Sequence, residues 1–126
     1  MNAIAKKFLL IAAVYGLVGI ALGLHMAIGH DHSQMPTHAH IMVIGWLSFG
    51  LFGLFYHVFS SNVPALLSKV HFWLSQVSFI GLVIGLWMLY SGNAEAEPVA
   101  AASAIGYALS FLIFALVVFQ TTAKAD

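Results

Sequence analysis

Two histidines separated by a single residue stand at the start of a long apolar stretch, in Pro36-Thr37-His38-Ala39-His40. Imidazole nitrogens are good ligands for iron, copper and zinc. Two residues along an α-helix rotate the side chain by about 200°, so His38 and His40 point to opposite flanks of a helix. They cannot both bind one small ion while that helix stays intact. We therefore expect each histidine to bind a different ligand or metal, one on each flank of the helix.

The surroundings of these two histidines suit a haem. Haem iron takes histidine nitrogens as axial ligands, and the macrocycle needs an apolar slot with polar room for its propionates at one edge. Met42, Trp46 and Phe49 follow on the same stretch and supply apolar surroundings. His38 and His40 are therefore the predicted cofactor-binding residues, with a haem as the cofactor, and no catalytic residue is predicted.

A second group of ligand-type side chains comes just before this helix, and it contains His25, His30, Asp31 and His32. Imidazole and carboxylate are adequate ligands for copper or zinc, so these four residues are a predicted metal site. Two other interpretations remain open. The histidines would hydrogen-bond haem propionates, a role often taken by arginine, which this chain lacks. They would otherwise be solvated loop residues.

The two remaining histidines, His57 and His71, occur near the predicted ends of apolar segments. An ionisable side chain inside a membrane is costly and is by default a candidate functional group. Amphipathic rings are nevertheless common at membrane interfaces. For both residues we favour an interhelical hydrogen bond or an interfacial position over a ligand role.

The composition is that of a membrane protein. The chain has 126 residues, of which 62% are hydrophobic and 6% charged, whereas soluble domains carry about 25% charged residues. The absence of cysteine excludes disulfides, iron–sulfur clusters and thiolate metal sites. A formal net charge of zero gives no electrostatic footprint for nucleic acid, so no nucleic-acid partner is expected.

Charged residues divide the chain into apolar stretches, and a helix that spans a bilayer needs about 20 apolar residues. The stretch between Asp31 and Lys69 is too long for one span, and the Ser, Asn and Pro residues at 60–64 supply a turn within it. We predict a single all-α integral membrane domain over residues 1–126, with four helices at about 7–29, 35–59, 64–91 and 97–122.

The four lysines and three of the four acidic residues sort between the two sides of this four-helix arrangement. One side carries Lys6, Lys7, Lys69 and Lys124, and the other carries Asp31, Glu95 and Glu97. Lysine-rich loops stay in the cytoplasm, so both termini are expected inside. This orientation predicts a protein of the bacterial inner membrane whose histidine cluster, His25 to His40, lies on the periplasmic side.

Glycines recur along the predicted helices, and small residues let membrane helices approach closely. Glycines inside the first three helices include Gly16, Gly19, Gly23, Gly45, Gly50, Gly53, Gly81 and Gly85. Ordinary helix packing is the interpretation we favour. A second interpretation is that some of them make room for a flat cofactor.

The pattern Pro36-x-His38, followed by Ile44-Gly45-Trp46, resembles the haem-binding second helix of the main subunit of the haem–copper oxidase superfamily. The branch it resembles contains nitric oxide reductases and high-affinity cytochrome oxidases. His38-x-His40 is also similar to the His-x-His of that subunit's tenth helix, which serves two haems, one on each side.

A second stretch, Lys69-x-His71-Phe72-Trp73-Leu74, resembles another helix start of the same superfamily, and the resemblance extends over about residues 8–120. That main subunit has twelve helices in three four-helix arcs, so three copies of this chain would rebuild the ring. The resemblance implies a homotrimer in which His38 of one subunit and His40 of its neighbour bind one b-type haem. A head-to-tail contact of this kind closes into a ring.

The function implied is electron transfer near the periplasmic face of the lipid bilayer, with quinol or a periplasmic electron carrier as partner. The chain departs from the superfamily pattern because it has no adjacent His-His pair and no clear match to the catalytic tyrosine or glutamates. Two histidine ligands would also fill both axial positions of the iron. The resemblance therefore supports haem binding better than it supports reductase activity.

Two alternative functions remain open at this point. The first is a gas-reducing enzyme related to nitric oxide or oxygen reductases, with a haem and a second metal at His25, His30 or His32. The second is a protein that binds or delivers copper or zinc through the periplasmic histidines. Thioether sulfur favours copper(I), and the sulfur ligands available to it would be Met26, Met35 and Met42.

Overall fold

A computed structural model describes residues 1–124 of the protein and shows four long helices that alternate in direction. Helix α1 spans Ala3–Gly29, α2 spans Met35–Val58, α3 spans Ala65–Tyr90 and α4 spans Glu97–Thr122. A short 3₁₀ turn, Ala94–Ala96, precedes α4. No strand occurs among the described residues. All four helices are long and apolar enough to cross a membrane, so the predicted all-α four-helix architecture is confirmed. Residues 125 and 126 of the predicted domain lie outside the described part.

The helix ends differ from the predicted ends by a few residues, most clearly at the start of α1. The side chain of Asn2 accepts a hydrogen bond from the backbone N–H of Ala5 at 2.7 Å and caps the helix. α1 therefore begins at Ala3, ahead of Lys6 and Lys7, whose side chains are exposed. The predicted turn at 60–64 is confirmed, because α2 ends at Val58 and α3 begins directly after Pro64.

The helices form two close antiparallel pairs, α1 with α2 and α3 with α4. Small residues bring the second pair together, since a Cβ atom added at Gly85 would lie 2.7 Å from the backbone nitrogen of Ala100. Gly81 meets Ser103 and Gly106 meets Ser78 in the same seam. Contacts this close between helix backbones are available only to residues with little or no side chain.

An aromatic core joins the two pairs. Its buried members are Phe8, Phe49, Phe52, Tyr56, Phe72 and Phe79. The ring centroids of Phe8 and Phe72 are 5.0 Å apart, and those of Phe49 and Phe79 are 5.2 Å apart, in edge-to-face arrangements. Edge-to-face contacts add stability beyond burial. The core therefore fixes the second half of α2 against α3.

α2 changes its winding in the middle, where Ile41–Ser48 is π-helical. The backbone N–H of Phe49 donates to the carbonyl of Ile44, five residues earlier. The hydroxyl of Ser48 donates to the carbonyl of Val43 at 2.8 Å. π-helical turns are rare and often occur at functional sites. This one begins directly after His40, and no sequence pattern predicted it.

Candidate functional site

The histidines and lysines occupy opposite ends of the four-helix bundle. The end of α1, the following loop and the start of α2 form the histidine end, with His25, His30, His32, His38 and His40. The other end, which we call the lysine end, carries Lys6, Lys7, Lys69 and Lys124. The candidate ligands thus concentrate on one end of the molecule.

His38 is half-buried and faces α1. Its Nδ1 atom lies 2.8 Å from the carbonyl oxygen of Gly19. A carbonyl oxygen can only accept a hydrogen bond, so Nδ1 carries the proton and donates it. In the neutral ring Nε2 then keeps its lone pair, which is the form of histidine that binds a metal ion.

His40 is held in the same way, but by its own helix. Its Nδ1 atom donates to the carbonyl oxygen of Pro36 at 2.7 Å. Pro36 is four residues earlier, so this imidazole folds back along the first turn of α2. The Nε2 atom of His40 again keeps its lone pair. In both residues of the His-x-His pair, Nε2 is therefore the ring nitrogen that could bind a metal ion.

The two imidazoles belong to different flanks of α2. His38 contacts α1, where its ring lies against Gly23. His40 shares its flank with Ile44, one turn further on, which packs against Leu82 and Leu86 of α3. The flanks face different neighbours, so one small ion cannot bring both Nε2 atoms together within one chain.

An apolar groove lies along the seam between α1 and α2, and its nearest lining residue on α2, Met42, is one helical turn beyond His38. It has a volume of about 330 Å³ and is lined by Ala13, Gly16, Leu17, Ile20, Met42 and Trp46. Trp46 is 48% exposed and also lines a second groove of about 220 Å³ further along α2. Gly16, which is buried against the Trp46 ring, lines the first of the two grooves. The His38 flank thus offers an apolar surface with room for a bulky ring.

These features fit an axial haem ligand better than they fit a compact metal site. Each imidazole presents one Nε2 atom, and the His38 flank is apolar. Among the described residues, no group of three or more His, Asp or Glu side chains lies close enough together to hold a metal ion. His25, His30, Asp31 and His32 therefore form no such group in the described part of the chain, and the copper or zinc site stays a prediction.

At the histidine end, His25 near the end of α1 and His30 and His32 in the following loop are exposed. His30 ends α1 in the left-handed backbone region, with φ 53°. The backbone N–H of Ser33 donates to the Asp31 carboxylate at 2.9 Å. The hydrogen bonds from Ser33 lower the pKa of Asp31, and the charges of His32 and His25 act in the same direction.

A buried glutamine fixes the position of the histidine pair. The Gln34 amide donates to the backbone oxygen of Trp87 at 3.0 Å and to the hydroxyl of Ser91 at 2.9 Å. Its oxygen accepts from the hydroxyl of Thr37 at 2.7 Å. The start of α2 is thereby tied to the end of α3. Sequence reasoning missed Gln34, although a glutamine two residues before a helix-starting proline was a usable signal.

His71 lies away from this site and is fully buried, with 0% exposure. Its Nδ1 atom and the Tyr56 hydroxyl are hydrogen-bonded at 2.9 Å, so the predicted interhelical hydrogen bond is present. Rings of Phe8, Phe52 and Phe114 surround it at centroid distances of 5.2, 4.7 and 5.0 Å. His57, by contrast, is exposed near the lysine end.

The chain matches no protein-family profile, no curated protein and no solved structure. The resemblance to the haem–copper oxidases therefore stays a prediction from the residues that carry it. The observations that bear on function are the hydrogen bonds and the opposite directions of His38 and His40.

Proposed function

We propose that the protein is a small membrane-bound b-type cytochrome in which His38 of one copy and His40 of a neighbouring copy are the axial ligands of a shared haem. One observation carries the proposal. Both imidazoles donate Nδ1–H to a backbone carbonyl, and they do so on opposite flanks of one helix. Since the partner ligand cannot come from the same chain, it comes from another copy.

The hydrogen bonds to the carbonyls support the ligand role chemically. Metal-bound histidines usually donate their other ring N–H to a carbonyl or a carboxylate, which fixes the tautomer and strengthens the ligand. Gly19 and Pro36 provide such acceptors for His38 and His40. The apolar groove beside His38, around Met42 and Trp46, suits the face of a macrocycle.

The assembly that follows is head-to-tail, because the haem would join His38 of one copy to His40 of the next, and the two residues lie on different flanks of α2. Contacts between unlike surfaces generate a ring when the rotation closes. We propose three copies, on the resemblance of four helices to one arc of a twelve-helix ring. The exposed Trp46 and the groove around it would be covered by the neighbouring copy.

The haem would supply one-electron exchange, and the chain's own residues would hold it at the histidine end. The lysine distribution supports an orientation with both termini in the cytoplasm, which puts this end on the periplasmic side of a bacterial inner membrane. Quinol or a periplasmic electron carrier is the proposed redox partner. With both axial positions filled by histidine, electron transfer is favoured over gas reduction.

The absorption spectrum of detergent-purified protein from haem-sufficient cells tests this proposal. We expect a reducible, low-spin, six-coordinate haem in the wild type. His38→Ala and His40→Ala should each abolish it, whereas His57→Ala, at an exposed position near the other end, should leave it unchanged. Colourless wild-type protein would contradict the proposal.

Co-expression of the two alanine variants tests whether the haem is shared between copies. A copy carrying His38→Ala still supplies His40, and a copy carrying His40→Ala still supplies His38. In randomly mixed rings, about a quarter of the contacts would then be intact, so about a quarter of the haem should return. If both ligands came from one chain, co-expression would restore none.

A further inference from the structure

We infer that Gly23, together with the backbone carbonyl of Gly19, is a positioning element that sets the orientation and the tautomer of the His38 ring. This inference rests on the proposed role of His38 as a haem ligand. It adds that the two ligands of the proposed site are controlled differently, one by the seam between two helices and the other by its own helix.

In the seam between α1 and α2, three glycines of α1 lie against side chains of α2. Gly16 faces Trp46, and a Cβ atom there would lie 3.1 Å from Trp46 Cε3. Gly19 faces Met42 in the same way. Gly23 faces His38, so His38 occupies the last place in a regular series with a spacing of four residues along α2.

Gly23 packs closely against the imidazole ring of His38. A Cβ atom added to Gly23 would lie 2.9 Å from His38 Cε1, 3.4 Å from Nδ1 and 3.6 Å from Nε2. Real Cβ atoms essentially never approach other heavy atoms to less than 3.0 Å. Cε1 and the two nitrogens on either side of it therefore face Gly23, and they occupy the space that a larger side chain at position 23 would need.

The acceptor of the hydrogen bond lies one helical turn away on α1. In an α-helix the carbonyl of Gly19 accepts the backbone N–H of Gly23, four residues on. The His38 ring donates to that same carbonyl at 2.8 Å. It can reach the carbonyl only because position 23 lacks a side chain. The Gly19 carbonyl and the hydrogen at Gly23 thus form one niche.

The His40 ring has no such dependence, because its acceptor, the Pro36 carbonyl, belongs to α2 itself. A change at Gly23 should therefore disturb one ligand and spare the other. Losing the Nδ1–H donation removes electron density from the imidazole, which weakens Nε2 as a ligand and raises the reduction potential of the metal it binds.

Gly23→Ala tests the inference, with Gly50→Ala as the matched control. A Cβ atom at Gly50 would lie 4.0 Å from the Cβ of Ala12, an ordinary contact. The first readout is the tautomer of each histidine by nitrogen NMR of the ¹⁵N-histidine-labelled full chain in detergent, purified without haem. His38 and His40 signals are assigned from the His38→Gln and His40→Gln variants.

We expect the Nδ1–H form of both rings in the wild type and in Gly50→Ala. In Gly23→Ala, the His38 signal should shift toward the Nε2–H form while the His40 signal stays unchanged. A wild-type His38 that is mainly in the Nε2–H form would overturn the inference without any variant. An unchanged His38 tautomer in Gly23→Ala would overturn it as well.

The second readout is the reduction potential of the haem-loaded protein, which we expect to rise in Gly23→Ala and to stay constant in Gly50→Ala. The two proposals fail in different ways. If the wild type binds no haem, the proposed function is wrong, and the tautomer experiment still decides the role of Gly23. If haem binds and Gly23→Ala changes neither tautomer nor potential, only the positioning role is wrong.

Discussion

The buried pair of Tyr56 and His71 offers a test of the packing because removing one hydroxyl leaves a polar ring without a partner. Tyr56→Phe keeps the ring and its stacking on Phe8, which is 5.7 Å away with an interplanar angle of 4°. It removes the hydrogen bond to His71 Nδ1. Among the described buried side-chain atoms, His71 Nε2 already has no hydrogen-bond partner. The variant would therefore bury an imidazole with both nitrogens unpaired.

The size of the effect follows from this enclosure. Leaving a buried polar group unsatisfied costs about 1–3 kcal/mol, while hydrogen bonds between membrane helices contribute about 0.6 kcal/mol on average and about 1.7 kcal/mol at most. His71 is fully enclosed by aromatic rings, so water cannot replace the lost partner. We expect Tyr56→Phe to lower the free energy of unfolding by about 1.5 kcal/mol, near the upper end of the membrane range.

Reversible unfolding in mixed micelles with increasing denaturing detergent measures this change. His71→Phe leaves the Tyr56 hydroxyl unpaired and should also destabilise the fold. The double variant removes both polar groups and should be less destabilised than the sum of the single variants by about 1 kcal/mol. A stability of Tyr56→Phe within about 0.3 kcal/mol of the wild type would refute the reasoning. The reasoning would also be refuted if the double variant were destabilised by the full sum of the two single substitutions.

Three further predictions concern other parts of the chain. Gly85→Ala should destabilise the fold by about 2 kcal/mol in the same unfolding assay, since its Cβ would lie 2.7 Å from backbone nitrogen of Ala100 and 2.9 Å from its Cα; near-neutrality would show that α3 and α4 separate easily. His30→Gly should stabilise the end of α1 by about 0.5–1 kcal/mol because glycine adopts a φ of 53° without strain, and a lower melting temperature would indicate that the imidazole makes a stabilising contact. Carbon monoxide should leave the spectrum of the reduced protein unchanged, because His38 and His40 would fill both axial positions of the proposed haem; a shifted spectrum would favour the gas-reducing alternative.

The helices could be predicted from the sequence because hydrophobic length and charge placement are local properties. Three of the four predicted starts, at 35, 64 and 97, fall within one residue of Met35, Ala65 and Glu97. The start of α1 was predicted too late, at Lys7 rather than Ala3, since Lys6 was treated as lying outside the helix. The long side chain of a lysine leaves an exposed charge while the backbone continues as helix.

The position of each side chain between helices was less accessible to sequence reasoning. The opposite directions of His38 and His40 follow from helix geometry alone. The acceptors that fix their tautomers do not, because Gly19 lies in another helix and is identified only by packing. The full burial of His71 was equally hidden. Its partner Tyr56 is 15 residues away, across the turn between α2 and α3.

The π-helical segment Ile41–Ser48 has a consequence for how α2 tolerates change. Each residue of an ordinary helix advances the side-chain direction by about 100°, so a single insertion or deletion turns everything beyond it to a new face. A π-helical segment has more residues per turn, so it can accommodate one inserted or deleted residue without turning the rest of the helix. The directions of His38 and His40 and the packing of the aromatic second half of α2 can therefore change independently. The π-helical segment separates the two halves of one continuous helix.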